Sequence, residues 1–75
     1  MQTEIASIQL LSLRDVLART SRGKSALYED MAGGRFPRPV SVGPARKAWV
    51  STEVDEWIAA RIAERDAGRA GSGAK

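Results

Sequence analysis

Residues 23–34, with the sequence GKSALYEDMAGG, form the segment around which the rest of the chain is organised. Its composition predicts a short helix that ends at the glycine pair. Helices below about 12 residues are marginal in water, so neighbouring elements have to hold this one in place. Leu27 and Met31 form one apolar line at helical spacing, whereas Lys24 and Tyr28 lie nearer the opposite side. We therefore expect the line to face the core and the polar side to face a partner.

The residues before this stretch predict a first helix and a tight turn. Ser12 and Asp15 have the spacing of a capping box, which predicts a helix over residues 13–19. Small polar residues then break the pattern, and either Ser21 or Gly23 is expected to cap the second helix. Two short helices joined in this way indicate a helix-turn-helix. The preceding residues 8–11 favour a brief strand or an extended lead-in.

The residues after the glycine pair predict a hairpin and a closing helix. Pro37 and Pro39 exclude a helix, and residues 40–50 have the alternation and turn composition of two strands. Thr52 is the expected cap of the last helix, which should end near Ala67. An apolar stripe marks its inner face and consists of Val54, Trp57, Ile58 and Ile62. Both tryptophans of the chain, Trp49 and Trp57, are expected to lie in the core.

The length and composition of the chain limit the number of domains and the kinds of function that it can have. Seventy-five residues allow one domain, which we place at residues 8–67, between a flexible N-terminus (1–7) and a glycine-rich disordered tail (68–75). The absence of Cys and His argues against imidazole or thiolate catalysis and against an ordinary zinc site. No window approaches the roughly 18 apolar residues of a membrane span. We expect a cytoplasmic protein that is not an enzyme and holds no cofactor or metal.

Charge is distributed unevenly along the chain. Residues 14–47 contain eight basic and three acidic side chains, whereas residues 53–66 contain five acidic side chains and two arginines. A basic middle segment beside an acidic helix favours a polyanion-binding face with a solvated back. The expected hairpin places Arg46 and Lys47 at its tip and Arg38 at its base.

Four blocks of the sequence resemble the AlpA family of small phage and mobile-element regulators: LLSLRDVL (10–17), SALY (25–28), GRFPRPV (34–40) and WVSTEVDEWI (49–58). The resemblance extends over roughly residues 10–65. It implies a mainly α fold with a small β-hairpin, a winged helix-turn-helix related to MerR proteins and excisionases. It also implies that the second helix enters the major groove of double-stranded DNA. The wing, which is the hairpin of residues 40–49, would lie along the backbone or minor groove.

Together, charge and resemblance define a candidate DNA-binding set: Arg22, Lys24, Ser25, Ala26, Tyr28, Glu29, Arg35, Arg38, Arg46 and Lys47. Three departures from the family pattern accompany it. Glu29 stands where the family usually has Arg, and Asp30 stands where an apolar residue is common. The turn reads Ser-Arg-Gly-Lys-Ser where Gly-Leu-Ser-Arg-Ser is common, which suggests that an apolar contact is missing from the turn.

The expected function is sequence-specific DNA binding, either as a transcriptional regulator or as an excisionase that directs an integrase. An integrase and further copies of this chain on repeated sites are candidate additional partners. The alternative is a protein-interaction module, such as an antiactivator, supported by Glu29 and Asp30 on the second helix. Salt-dependent binding to duplex DNA discriminates between these hypotheses.

Overall fold

The computed structural model describes residues 8–71, and the side chains of residues 8–68. Its elements are β1 (Leu10–Leu11), α1 (Leu13–Thr20), α2 (Lys24–Ala32), β2 (Val40–Gly43), β3 (Arg46–Val50) and α3 (Ser51–Gly71). The strands of this region form one antiparallel sheet in the order β1-β3-β2. Two helices joined by a tight turn, then a hairpin and a closing helix, form a winged helix-turn-helix, so the expected fold class is confirmed.

Three caps define both ends of α1 and the start of α2. At the start of α1, the Ser12 hydroxyl accepts a hydrogen bond from the Asp15 amide at 3.1 Å, and the Asp15 carboxylate accepts from the Ser12 amide at 3.4 Å. Ser21 ends α1 in the left-handed conformation, with φ 59° and its amide donating to Leu17. Gly23 is the N-cap of α2. The predicted capping box is confirmed, and the choice of cap for the second helix is settled in favour of glycine.

The hairpin forms as expected, with Val40 opposite Ala48 and a register irregularity between Ser41 and Gly43. The short strand β1 adds a pairing that the sequence did not predict, because Leu11 lies opposite Trp49 across the central strand β3. The sheet therefore joins the start of the domain to the wing.

The start of α3 differs from the prediction. The helix begins at Ser51, directly after β3, so Thr52 lies within its first turn and the expected cap is wrong. The Ser51 hydroxyl accepts from the Gln9 amide at 2.8 Å, and the Ser51 amide donates to the Gln9 carbonyl at 2.7 Å. These long-range bonds continue the β1–β3 pairing up to the strand-to-helix junction and leave no linker in which Thr52 could act as a cap.

The far end of α3 also differs from the prediction. The helix continues past Ala67 to Gly71, so its last turn overlaps the segment that was expected to be disordered. Alanine, arginine and glutamate are strong helix formers and are frequent after Ala59, which favours this extension. Residues 1–7 and 72–75 lie outside the described part of the chain, so the expectations for them are untested.

The core lies between the helices and the sheet, and its buried members are Leu11, Val16, Leu27, Met31, Phe36, Trp49 and Val54. The apolar line of α2 is therefore confirmed as a core contact. Trp49 is buried, as expected, whereas Trp57 is only partly buried at the edge of the core. The Trp57 ring packs edge-to-face on the Phe36 ring, with 5.1 Å between the ring centroids. The Trp57 indole N–H donates a hydrogen bond to the Arg35 carbonyl at 2.8 Å.

Candidate nucleic-acid interface

Helix α2 turns one side to the core and the other to solvent. Lys24, Ser25, Tyr28 and Glu29 are exposed, and Ala26 is half-buried. Because successive residues advance by about 100° around the axis, Ser25 and Glu29 share the outermost face, directly away from the buried side. This face is free to enter a groove of a partner molecule.

One flank of α2 borders a groove shared with the wing, which we call the hairpin groove. It has a volume of about 400 Å³, and its lining residues are Tyr28, Met31, Ala32, Arg38, Pro39, Lys47 and Trp49. The floor is mostly apolar, while the phenol and two cations contribute its polar groups. Such a surface suits a nucleic-acid backbone, whose sugars are apolar and whose phosphates take donors from Arg, Lys and Tyr. Three predicted site residues from separate parts of the chain, Tyr28, Arg38 and Lys47, therefore meet in this groove.

The wing and the start of α2 carry unpaired positive charge. Lys24, Arg38, Arg46 and Lys47 are all exposed. Within residues 8–68, none of the four forms an ion pair. Each is therefore available to a phosphate. Arg46 begins β3 beside the hairpin turn and lies outside the hairpin groove.

The other flank of α2 holds two predicted site residues in a different environment. Asp30 is 8% exposed, and its carboxylate accepts hydrogen bonds from Arg22 in the turn and from Arg35 in the loop after α2. Arg35 also donates to the Glu29 carbonyl near the end of the helix, at 3.5 Å. The structure thus separates Arg22 and Arg35 from the hairpin groove and gives each a carboxylate partner within the protein.

Asp30 belongs to α2, as the protein-interaction hypothesis assumed, but its carboxylate is buried and does not face a partner. It lies next to Leu27 and Met31 on the buried side of α2, where two guanidinium groups neutralise its charge. Arg22 in the turn and Asp30 on α2, which both depart from the pattern of the resembled family, therefore form one interaction. Arg22 and Asp30 pair at the place where the apolar contact of the turn was expected to be missing.

Sequence reasoning missed Arg61, which belongs to the acidic segment assigned to the solvated back. The packing of α3 beside the turn brings it into a second cavity of about 390 Å³, lined by Arg22, Asp30, Arg35, Trp57, Arg61 and Glu64. Its guanidinium lies over the Trp57 ring, 5.5 Å from the ring centre, and pairs with Glu64. No local pattern could have indicated this position, since it depends on how two distant helices pack.

The described part of the chain has neither a membrane-spanning helix nor an acidic metal site. None of the described helices is long and apolar enough to cross a membrane. No group of three or more acidic side chains within that region is arranged to hold a metal ion, and the whole chain lacks Cys and His.

Similarity to known proteins gives the family of the chain. Residues 9–62 match the family described as "Prophage CP4-57 regulatory protein (AlpA)". The chain is also 35% identical over 65 residues to "Uncharacterized protein ORF88" of Enterobacteria phage P4, an alignment that covers 87% of this chain and 74% of the phage protein. No solved structure matches. The chain belongs to the AlpA family of prophage regulatory proteins.

Proposed function

We propose that this protein is a sequence-specific DNA-binding regulator of a prophage or integrative element. The observation that carries the proposal is the hairpin groove, where Tyr28, Arg38 and Lys47 converge beside the exposed face of α2. Family membership supports a regulatory role. Access to DNA requires a cytoplasmic location, and the proposal includes no catalytic step.

In the proposed complex, α2 lies in the major groove and the wing follows the backbone or the minor groove. Lys24, Ser25, Ala26 and Glu29 are placed to reach base edges, because a recognition helix contacts bases with its N-terminal and outer residues. Tyr28 positions the helix on a phosphate. Arg38, Arg46 and Lys47 supply the remaining backbone contacts. Positioning and sequence reading are thus assigned to different side chains.

The first test is the salt dependence of binding to a duplex. If one protein molecule neutralises about four phosphates, log K falls against log salt with a slope of roughly −3.6. Arg38→Ala, Arg46→Ala and Lys47→Ala should each flatten the slope by about 0.9, because each removes one phosphate contact. Fluorescence anisotropy across a salt series measures the slope. Arg65→Ala is the matched control, since this arginine lines neither cavity. A wild-type slope near zero would remove DNA as the partner.

The second test separates sequence reading from general attraction at Glu29. A carboxylate repels the backbone, but it can accept a hydrogen bond from cytosine N4 in the major groove. Glu29→Arg should therefore tighten binding to scrambled DNA while reducing discrimination by about 1–3 kcal/mol, the worth of one good base contact. Competition between selected and scrambled duplexes at fixed salt measures both quantities, with Glu53→Arg on α3 as the charge-matched control. Equal tightening on both duplexes would assign Glu29 a repulsive role only.

Within DNA binding, the finer role is either transcriptional regulation or excision with an integrase, with cooperative assembly of several copies on repeated sites. Bending of attachment-site DNA, measured by circular permutation, would favour the excisionase role. The protein-interaction hypothesis now depends on Glu29 alone, because Asp30 is engaged inside the domain. Loss of a protein partner in Glu29→Arg with DNA binding unchanged would favour it.

A further inference from the structure

The cavity on the Asp30 flank of α2 gathers arginines from three parts of the chain. Arg22 comes from the helix-turn-helix turn, Arg35 from the loop before the wing, and Arg61 from α3. We call this site the arginine cavity. The acidic side chains that line it are Asp30 and Glu64, so the three arginines leave one net positive charge.

The arginine cavity is rich in hydrogen-bond donors. Each guanidinium presents several N–H groups in a rigid fork, and the Asp30 and Glu64 carboxylates with the Glu29 carbonyl engage only some of them. Guanidinium forks match the geometry of phosphate oxygens. The cavity is therefore suited to an oxyanion.

The placement of the cavity indicates where that oxyanion lies. A helix in the major groove has one phosphate backbone on each side of it. Tyr28 and Asp30 lie about 200° apart around α2, so the hairpin groove and the arginine cavity border opposite flanks of the helix. The outer face with Ser25 and Glu29 lies between them. Each flank thus offers phosphate-binding side chains to a different strand.

We propose that the arginine cavity binds a backbone phosphate of the DNA strand opposite the one held by the hairpin groove, and that Arg61 is a direct contact to it. This inference rests on the proposed DNA-binding function. Asp30 acts as a positioning residue, because it fixes the guanidinium groups of Arg22 and Arg35 at the cavity wall. The Trp57 ring supports the Arg61 guanidinium from below.

The ion pair between Arg61 and Glu64 does not oppose this assignment. It joins residues three apart on one helix, and the two side chains are 50% and 64% exposed. Exposed pairs of this kind contribute little and are screened by salt. A phosphate that makes several hydrogen bonds can therefore displace Glu64 from Arg61.

Arg61→Ala and Arg65→Ala form a matched pair for the test. Both arginines are at least half exposed on α3, one turn apart, and both pair with a nearby carboxylate, but only Arg61 lines the cavity. The duplex is one that the full-length wild-type protein selects from a random library. Circular dichroism confirms that both variants are folded. Arg61→Ala should flatten the salt slope by about 0.9, so that its affinity loss between 50 and 200 mM salt is about 3.5-fold smaller than that of wild type. Arg65→Ala should flatten the salt slope by less than half of the change expected for Arg61→Ala.

Phosphate-ethylation interference locates the contact. Wild-type binding should be inhibited by ethylation on both strands bordering one major-groove segment. Binding of the Arg61→Ala variant should become insensitive to ethylation of one strand, and binding of the Lys47→Ala variant to ethylation of the other. Equal effects of Arg61→Ala and Arg65→Ala, or an unchanged interference pattern in Arg61→Ala, would overturn the inference while the proposed function stands. A wild-type slope near zero would overturn the proposed function itself, and the inference with it.

Discussion

Replacing Trp49 with alanine is expected to lower the free energy of unfolding by about 3–5 kcal/mol, the usual cost of emptying a buried aromatic site. Trp49 is 2% exposed and lies in the central strand, opposite Leu11 of β1. Its indole N–H donates to the Pro37 carbonyl at 3.1 Å, which holds the loop before the wing. The substitution therefore leaves a cavity and also removes a hydrogen bond that positions the hairpin groove.

A loss of this size is a large part of the stability of so small a domain. The melting temperature, measured by circular dichroism, should fall by roughly 15–30 °C. Urea titration measures the loss in free energy of unfolding. Trp57→Ala is the matched comparison, because the same side chain is only partly buried there, and its cost should be smaller, at about 2–3 kcal/mol. A loss below about 1 kcal/mol for Trp49→Ala would contradict its central place in the core.

Replacing Asp30 with leucine is expected to destabilise the domain by about 2–3 kcal/mol, because Arg22 then keeps a partly buried charge without its main partner. Removal of one member of a fully buried pair costs roughly 3–5 kcal/mol. The expected loss here is smaller, since the side chains of Arg22 and Arg35 are 37% and 65% exposed.

The double variant Arg22→Leu/Asp30→Leu should recover most of that stability, because two apolar side chains can replace a buried ion pair at little net cost. Urea denaturation of wild type, both single variants and the double variant gives the coupling energy between the two positions. Arg35→Ala serves as the control for loss of the more exposed partner and should cost less than 1 kcal/mol. Additive single effects, with no recovery in the double variant, would show that the pair does not act as a unit.

Most local structure could be predicted from local signals. The capping box at Ser12 places α1, the glycine pair after Met31 ends α2, and Pro37 and Pro39 force the extended entry to the wing. Each signal acts within a few residues, through a backbone hydrogen bond or a fixed φ angle, so it can be read without knowledge of the rest of the chain. The same holds for Leu27 and Met31, whose spacing identifies the buried side of α2.

Local signals in the chain therefore specify the order of the elements and the core side of α2, and the family blocks specify the class of fold. Long-range packing instead sets the pairing of Leu11 with Trp49, the bonds of Ser51 to Gln9, and the position of Arg61 near Arg22 beside α2. It also places Asp30 on the buried side of α2, paired with Arg22 and Arg35. These contacts join residues far apart along the chain or depend on small rotations of a helix. The spacing of apolar residues does not encode which distant partner a side chain meets. They are selected by the packing of α3 and the sheet around α2, because that packing determines which charges and hydrogen-bond donors become neighbours.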